Sequence, residues 1–418
     1  MKKNGFTLVE ITVCVVLLVT IFLLVVPKVN TMINNKKKNA YNSLISTVKD
    51  AAQAYVYLNV NIVDDAIESQ GYYEVSIRTL QENELLENKL ENPLTGKNIP
   101  STSIVKIIKN NEEYIYKFSL DYQYLLEHII DLYSSEETRI SNGLKKDNTP
   151  DQNIRYYGSD PNNYVSFNNE LWRIIGVFGD NVKLIRSKSL GELSWDSSES
   201  SINGGFGVNE WSQADLKNYL NTMYYGGTSV TCYGGTKNST KTCPTGTIDE
   251  TAKSLIDNHT WNTGAIEYNT RTDTVAFYKD ERGNQTGKIC NGGTFCSDTV
   301  ERTTTWTGYI GLPYPTDYAY ASGENICETN MVKQDSSDAY ICENNNWMFK
   351  SIWYWTLSPF ARSANSRYVW YVNGDGDVNN SNAASGGAVF PAIYLKSNVI
   401  IESGTGTSSN PYILKAGL

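Results

Sequence analysis

The hydrophobic positions are continuous at the start of the chain. From Phe6 to Val26 nearly every residue is apolar, and Glu10 is the only charge. As a helix this run is long enough to cross a bilayer core of about 30 Å. After Pro27 the apolar residues thin to a helical stripe: Val29, Met32 and Ile33, then Tyr41, Leu44, Ile45, Val48, Ala52 and Tyr55. The two parts together predict one helix of about fifty residues, roughly 75 Å long. Tyr73 to Leu86 reads as a short strand and helix. Ser103–Ile108 and Glu113–Phe118 flank a polar tetrad and predict a β-hairpin. Asp121 to Tyr133 again has helical spacing, and Ser134 to Gln152 is polar, with Gly143, Pro150 and a lysine pair. Beyond it, Tyr164–Phe167, Glu170–Phe178 and Val182–Arg186 predict three strands joined by Asn/Gly/Asp turns. Helices are expected from about Ser212, and from Thr247 with Glu250 closing a capping box. Beyond these the chain reads as loops and short strands, with distinctive segments at Trp353–Pro359, Arg367–Asn373 and Ala388–Leu395 near its end.

Composition sharpens the division. All nine Trp lie at or beyond Trp172, and six of the seven Cys at or beyond Cys232. The halves therefore have different cores, with the boundary placed in residues 121–152, read as a linker. The net charge of −9 argues against a general nucleic-acid binder. Two histidines, His128 and His259, leave almost no room for a multi-histidine metal site. No motif singles out a catalytic group, so binding rather than catalysis is expected.

The first ten residues carry a specific signal. The positive start would suit a secretory signal, but no small-x-small cleavage site follows the apolar run. Lys2-Lys3-Asn4-Gly5 followed by Phe6-Thr7-Leu8-Val9-Glu10 resembles the leader of type IV prepilins and pseudopilins. The resemblance implies that a membrane prepilin peptidase cuts between Gly5 and Phe6 and that the new amino terminus of Phe6 is methylated. It implies that Glu10, a costly charge within an apolar helix, guides assembly with other pilin subunits, and that Pro27 bends the helix. A cationic amine at Phe6 pairing with a neighbour's Glu10 would fix subunit register. The lysines at 36–38 lie outside the span and outnumber Lys2 and Lys3, so the positive-inside rule is ambiguous for this chain.

The C-terminal half resembles a domain recurring in surface proteins of Gram-positive bacteria, through Asn168–Ile175 (NNELWRII), Gly207–Asp215 (GVNEWSQAD), Trp355–Pro359 (WTLSP) and Val389–Leu395 (VFPAIYL). The family resembles the C-type-lectin-like fold: two helices, a two-part sheet and long binding loops. This chain departs from it at Phe390, where the family has Arg.

The expected organisation is α+β: a leader over residues 1–5, a membrane and assembly helix over 6–27, a pilin-like helix with a small antiparallel sheet over 28–120, the linker, and a lectin-like domain over 153–418. On the exported side, local spacing pairs Cys232 with Cys243, Cys290 with Cys296 and Cys327 with Cys342 as disulfides. Cys14 is an apolar packer in the membrane helix. Asn373 to Asn380 fails the EF-hand template, with Val378 at the required glycine and Ala384 at the terminal glutamate. It reads as a hairpin turn, with a weak calcium site at Asp375 and Asp377 as the alternative and no other cofactor. Tyr368, Trp370 and Tyr371, beside Asn373, Asp375, Asp377 and Asn379, are the ligand-binding candidates. Strand alternation sends Tyr368 and Trp370 to one face and Tyr371 to the other. The expected function is a minor pilin, inserted in the cytoplasmic membrane with its C-terminus outside and then displayed on a surface filament. Its head would adhere to a host or environmental glycan or protein, with DNA disfavoured. The alternatives are a pseudopilin of a secretion or DNA-uptake machine, and a membrane-tethered surface enzyme.

Overall fold

The computed structural model describes residues 36–416, apart from Lys38, 94–96, 100, 102, 111–112, 120–122, 268–272, 284–301, 333–340 and 362–365. Gly5, Phe6, Glu10, Pro27, the apolar run and the pair Cys290/Cys296 lie outside the described residues. Among those described, no helix is long and apolar enough to cross a membrane. The molecule is α+β and divides into two compact units, the first ending at Gln123 and the second running from Tyr124 to Gly417.

In the first unit, residues 39–58 form a helix whose buried face is Tyr41, Val48, Ala51, Ala52, Tyr55 and Val56. These spacings make a single apolar stripe. A second helix, Val60–Gln70, follows at Asn59. The chain then enters a three-stranded antiparallel sheet in the order Tyr73–Ser76, Ile104–Asn110, Glu113–Ser119. Val75, Val105 and Ile107 are its buried residues. Ser76 ends the first strand and caps the helix Ile77–Glu82, its Oγ accepting from the Thr79 amide at 3.0 Å. Asp64 ties the hairpin to the helix, accepting from Tyr114 Oη at 2.7 Å and from Lys109 Nζ at 3.2 Å.

Two sheets carry the second unit. The larger runs Ile310–Gly311, Ala392–Leu395, Asn181–Arg186, Glu170–Phe178, Tyr164–Phe167, Tyr412–Ala416, Val399–Ser403. The strand Ile154–Tyr156 joins Glu170–Phe178 past a bulge at Ile174/Gly176. A Cβ on Gly176 would lie 2.2 Å from the Ile154 carbonyl oxygen, so only glycine allows this junction. The smaller sheet has six strands. Its path is Glu192–Ser194, Gly386–Ala388, Tyr354–Ala361, Tyr368–Val372, Val378–Asn382, and Ile266–Glu267 lies parallel to Tyr354–Ala361. Every residue of Tyr354–Ala361 is buried.

The expected linker is corrected by this arrangement. From Tyr124 onward it belongs to the second unit: Leu125 and Ile129 of the helix Leu125–Ser134, and Leu144 after it, are fully buried in that unit's main core. The helical spacing is that of an amphipathic face with a core to bury, not of a spacer. The capping box at Thr247 is also corrected. Asp249 is the cap of the helix Glu250–Leu255, accepting from the Ala252 amide at 2.8 Å.

Six tryptophans, Trp172, Trp195, Trp211, Trp261, Trp355 and Trp370, are fully buried. Trp370 joins Phe277, Phe360 and Phe390 in one core cluster, and the other five occupy a second, larger one. A chain of buried charges accompanies them. Asp317 sits in the helix Pro315–Ala321, all of whose residues are buried. Its Oδ2 accepts from Lys183 Nζ at 2.6 Å and from the Tyr314 amide at 2.9 Å, and its Oδ1 from Arg155 Nη1 at 2.6 Å. Arg155 Nε also donates to Asp147 Oδ2 at 2.9 Å. Burial alone would raise the Asp317 carboxyl, but the two cations hold it below its ordinary value. Removing one member of such a network leaves an uncompensated buried charge, at a cost of about 3–5 kcal/mol.

Glu281 is fully buried nearby. Burial pushes its carboxyl from 4.5 up to about 8, opposed by Arg282, while the charge of Asp317 pushes it the same way. Ser358 donates to its Oε1 at 3.2 Å. The folded protein therefore keeps a proton that the unfolded chain gives up, and this contribution to stability fades as pH rises from about 4.5 to 8. Asp196, raised to about 7 by its own burial, adds to the same slope. Denaturant titrations across this range should show stability falling with pH, and Glu281→Gln should flatten the fall. An equal slope in the variant would contradict the assignment.

Candidate functional site

The β-strands Tyr354–Ala361, Tyr368–Val372 and Val378–Asn382 set a row of three side chains. Tyr371 stands opposite Trp355 on one side and Asn379 on the other, so all three point to one face. Trp353, just before the first strand, completes an aromatic cluster. Its ring lies 5.1 Å from Trp355 and 5.2 Å from Tyr371, both edge-on. Trp355 is buried, and its indole donates to the Leu193 carbonyl at 3.0 Å. Trp353 and Tyr371 remain half-exposed. Glycine at 387 makes the cluster fit: a Cβ there would meet Trp353 Cζ3 at 2.5 Å and Trp355 Nε1 at 2.7 Å.

Polar groups border the rings. Ser381, two residues along the edge strand from Asn379 and on the same face, has its hydroxyl 3.0 Å from that of Ser385. Asn379 accepts from the Asn380 amide at 2.8 Å and donates to Asp377 at 3.3 Å. The disulfide Cys232–Cys243 closes a small hairpin alongside. Lys241 of that hairpin donates to the Glu192 carbonyl at 2.7 Å, and the Gly234 carbonyl oxygen would lie 3.5 Å from a Cβ at Gly386. Nearby, Ser194 donates to the Ala384 carbonyl at 2.8 Å and the Trp195 amide to that of Ala383 at 2.8 Å. Asp196 then holds the loop that follows, accepting from the Val208 amide at 2.6 Å. The result is two partly open rings beside amides and hydroxyls, on a surface braced by strands and a disulfide.

The candidates read from the sequence separate here. Tyr371 and Asn379 are brought together. Tyr368 lies on the opposite face, half-buried against Phe360. Trp370 is corrected: it is fully buried, packed on Phe277 and Phe360 at 5.0 and 4.9 Å, so it is core and not a contact surface. Asn373, Asp375 and Asp377 form the turn. The Asn373 amide donates to the Asp377 carbonyl at 2.8 Å and its side chain to Asp377 Oδ1 at 2.9 Å, and Gly376 takes a positive φ. Asp377 is wholly buried and Asp375 partly. Among the described residues, no group of three or more His, Cys, Asp or Glu could hold a metal ion. Cys327–Cys342 forms the second disulfide. Its Cys342 carbonyl accepts from Tyr318, which also donates to the Gly376 carbonyl at 2.9 Å and so pins the turn. The histidines make local contacts. His128 Nε2 lies 2.8 Å from Tyr412 Oη, and His259 stacks on Tyr394 at 3.7 Å beside Asp257.

Trp353, Ser381, Ser385 and Gly387 are site residues that sequence reasoning did not select. The Trp-Tyr-Trp alternation of 353–355 and the Gly386-Gly387 pair were the available signals. Compared with protein families, curated proteins and solved structures, the chain matches none of them.

Rings with one open side next to amides and hydroxyls suit the apolar face and the hydroxyls of a sugar. If this face holds a glycan, Tyr371→Ala should weaken its retention by about 1–2 kcal/mol, roughly tenfold. Tyr368→Ala, on the other face, should leave it unchanged. Titration of both variants against the best ligand from a glycan array checks this, and equal losses in the two would refute the assignment.

Proposed function

We propose that this chain is a minor type IV pilin whose second unit is a carbohydrate-binding adhesive head. The observation that carries the reading is the segment from Lys2 to Glu10, with its processing and assembly signature ahead of a long apolar run. The first unit supports it, because an amphipathic helix backed by a three-stranded antiparallel sheet is what that resemblance implies downstream. Tyr57, Leu58 and Ile62 are also exposed on its helices, at 85%, 66% and 59%. Exposed apolar side chains on these helices suit packing against neighbouring subunits.

The second unit supports a binding head of C-type-lectin-like type. It has two sheets, short helices, and loops fixed by two disulfides. Its bulk suits a subunit at the tip of a fibre or spaced sparsely along it. Prepilin peptidase and the other pilins are its assembly partners, and a glycan-bearing host or environmental surface is its target.

In cells, Glu10→Ala should leave the chain in the membrane and remove it from sheared surface filaments. Immunoblots of the two fractions provide the readout. Undiminished incorporation of the variant would sink the pilin reading and leave the binding surface as a separate question.

A further inference from the structure

Lys183 and Asp317 form a buried ion pair, with the buried Glu281 electrostatically coupled to it, that neither the binding surface nor filament assembly uses. Lys183 Nζ is wholly buried and surrounded by rings: Tyr314 at 4.1 Å, Trp261 and Tyr394 at 5.3 Å, and Phe178 at 5.6 Å. It lies 2.6 Å from Asp317 Oδ2. That contact sets the nitrogen close to the carboxyl carbon, near the roughly 3–3.5 Å of a reactive arrangement. Glu281 Oε2 is buried without a hydrogen-bond partner, 3.6 Å from Arg282 Nη1. The charge of Glu281 is felt by Lys183, and those of Lys183 and Asp317 by Glu281.

We propose that Lys183 and Asp317 condense into an intramolecular amide, with Glu281 as the proton carrier. The reaction needs no outside reagent. The Lys183 ammonium passes a proton to the Asp317 carboxylate, which turns the ion pair into an amine and a carboxylic acid without changing its net charge. The nitrogen lone pair then attacks Cγ. Oδ1 takes up the negative charge, where Arg155 Nη1 already donates at 2.6 Å. Neutral Glu281 gives its proton to Oδ2 and takes one from the nitrogen. The C–Oδ2 bond breaks, water leaves, and Glu281 is again a neutral acid.

Burial favours the neutral forms of Lys183 and Glu281, while the Asp317 carboxylate takes its proton against the two cations that hold it ionised. Burial lowers the Lys183 amine to about 8 and raises Glu281 to about 8, so both neutral forms are accessible near neutrality. A fixed pair inside a folded core reacts with an effective molarity of about 10⁵ M or more. The product would staple the strand Asn181–Arg186 to the helix Pro315–Ala321, which suits a head loaded by pulling, where the unfolding rate governs survival.

Mass spectrometry of the purified full chain, reduced and denatured, tests this directly. The expected mass is lower by one water than that of the linear chain with the same N-terminal trimming and methylation. Proteolysis should release one branched peptide joining Lys183 to Asp317. A full linear mass, with Lys183 and Asp317 recovered in separate unmodified peptides, would overturn the proposal. In Glu281→Gln the lost water should be restored. A branched peptide formed as fully in that variant would overturn the part given to Glu281, and the wild-type mass stands whether or not the variant folds.

Discussion

The second unit depends on one carboxylate. Asp317 begins a wholly buried helix by accepting from the Tyr314 amide, and the same two oxygens hold Lys183 and Arg155. Lys183 comes from the middle of the larger sheet, and Arg155 from the short strand that joins it at the Gly176 bulge. While it is ionised, a carboxylate this deep is tolerable because Lys183, Arg155 and the Tyr314 amide all meet it. The network therefore fixes where the helix sits relative to the strands in a way that nonspecific packing of Trp and Tyr would not. Large aromatic side chains give the core its area, and the ion network gives it one arrangement.

That rigidity reaches the surface. Trp355 is held by the Leu193 carbonyl, Gly387 lets Trp353 lie against it, and Tyr371 closes the row. The open rings are the margin of a packed core, so their positions are set by that packing. Preorganisation of this kind lowers the entropic cost of binding. The disulfides Cys232–Cys243 and Cys327–Cys342 act on segments with little secondary structure of their own, one beside this surface and one beneath the 373–377 turn.

Much of this was legible in the sequence. The hairpin Ile104–Ser119, the strands from Tyr164 to Arg186 and both described disulfides follow from alternation, turn residues and local cysteine spacing. The switch of core composition at Trp172 separated the halves correctly in kind. The boundary was drawn too late, because the polar stretch 134–152 hides Leu144 and Asp147, whose burial depends on partners far along the chain. Trp370 shows the same limit. Period-two alternation separated it from Tyr371, but both faces of that strand are largely covered, and only Tyr368 and Tyr371 stay partly open. The ion network was unreadable for a related reason: Asp147, Arg155, Lys183, Glu281 and Asp317 are ordinary charges until the fold removes their water.

On the proposed reading the first unit is an assembly stem and the second a binding head. The central claim concerns the first residues of the mature chain, and it is tested most directly by determining the N-terminus of the protein in sheared surface fibres and in membranes. The account predicts a start at N-methylated Phe6 in the fibre fraction. An intact Met1, found only in membranes, would contradict it and would leave the second unit as a tethered surface domain.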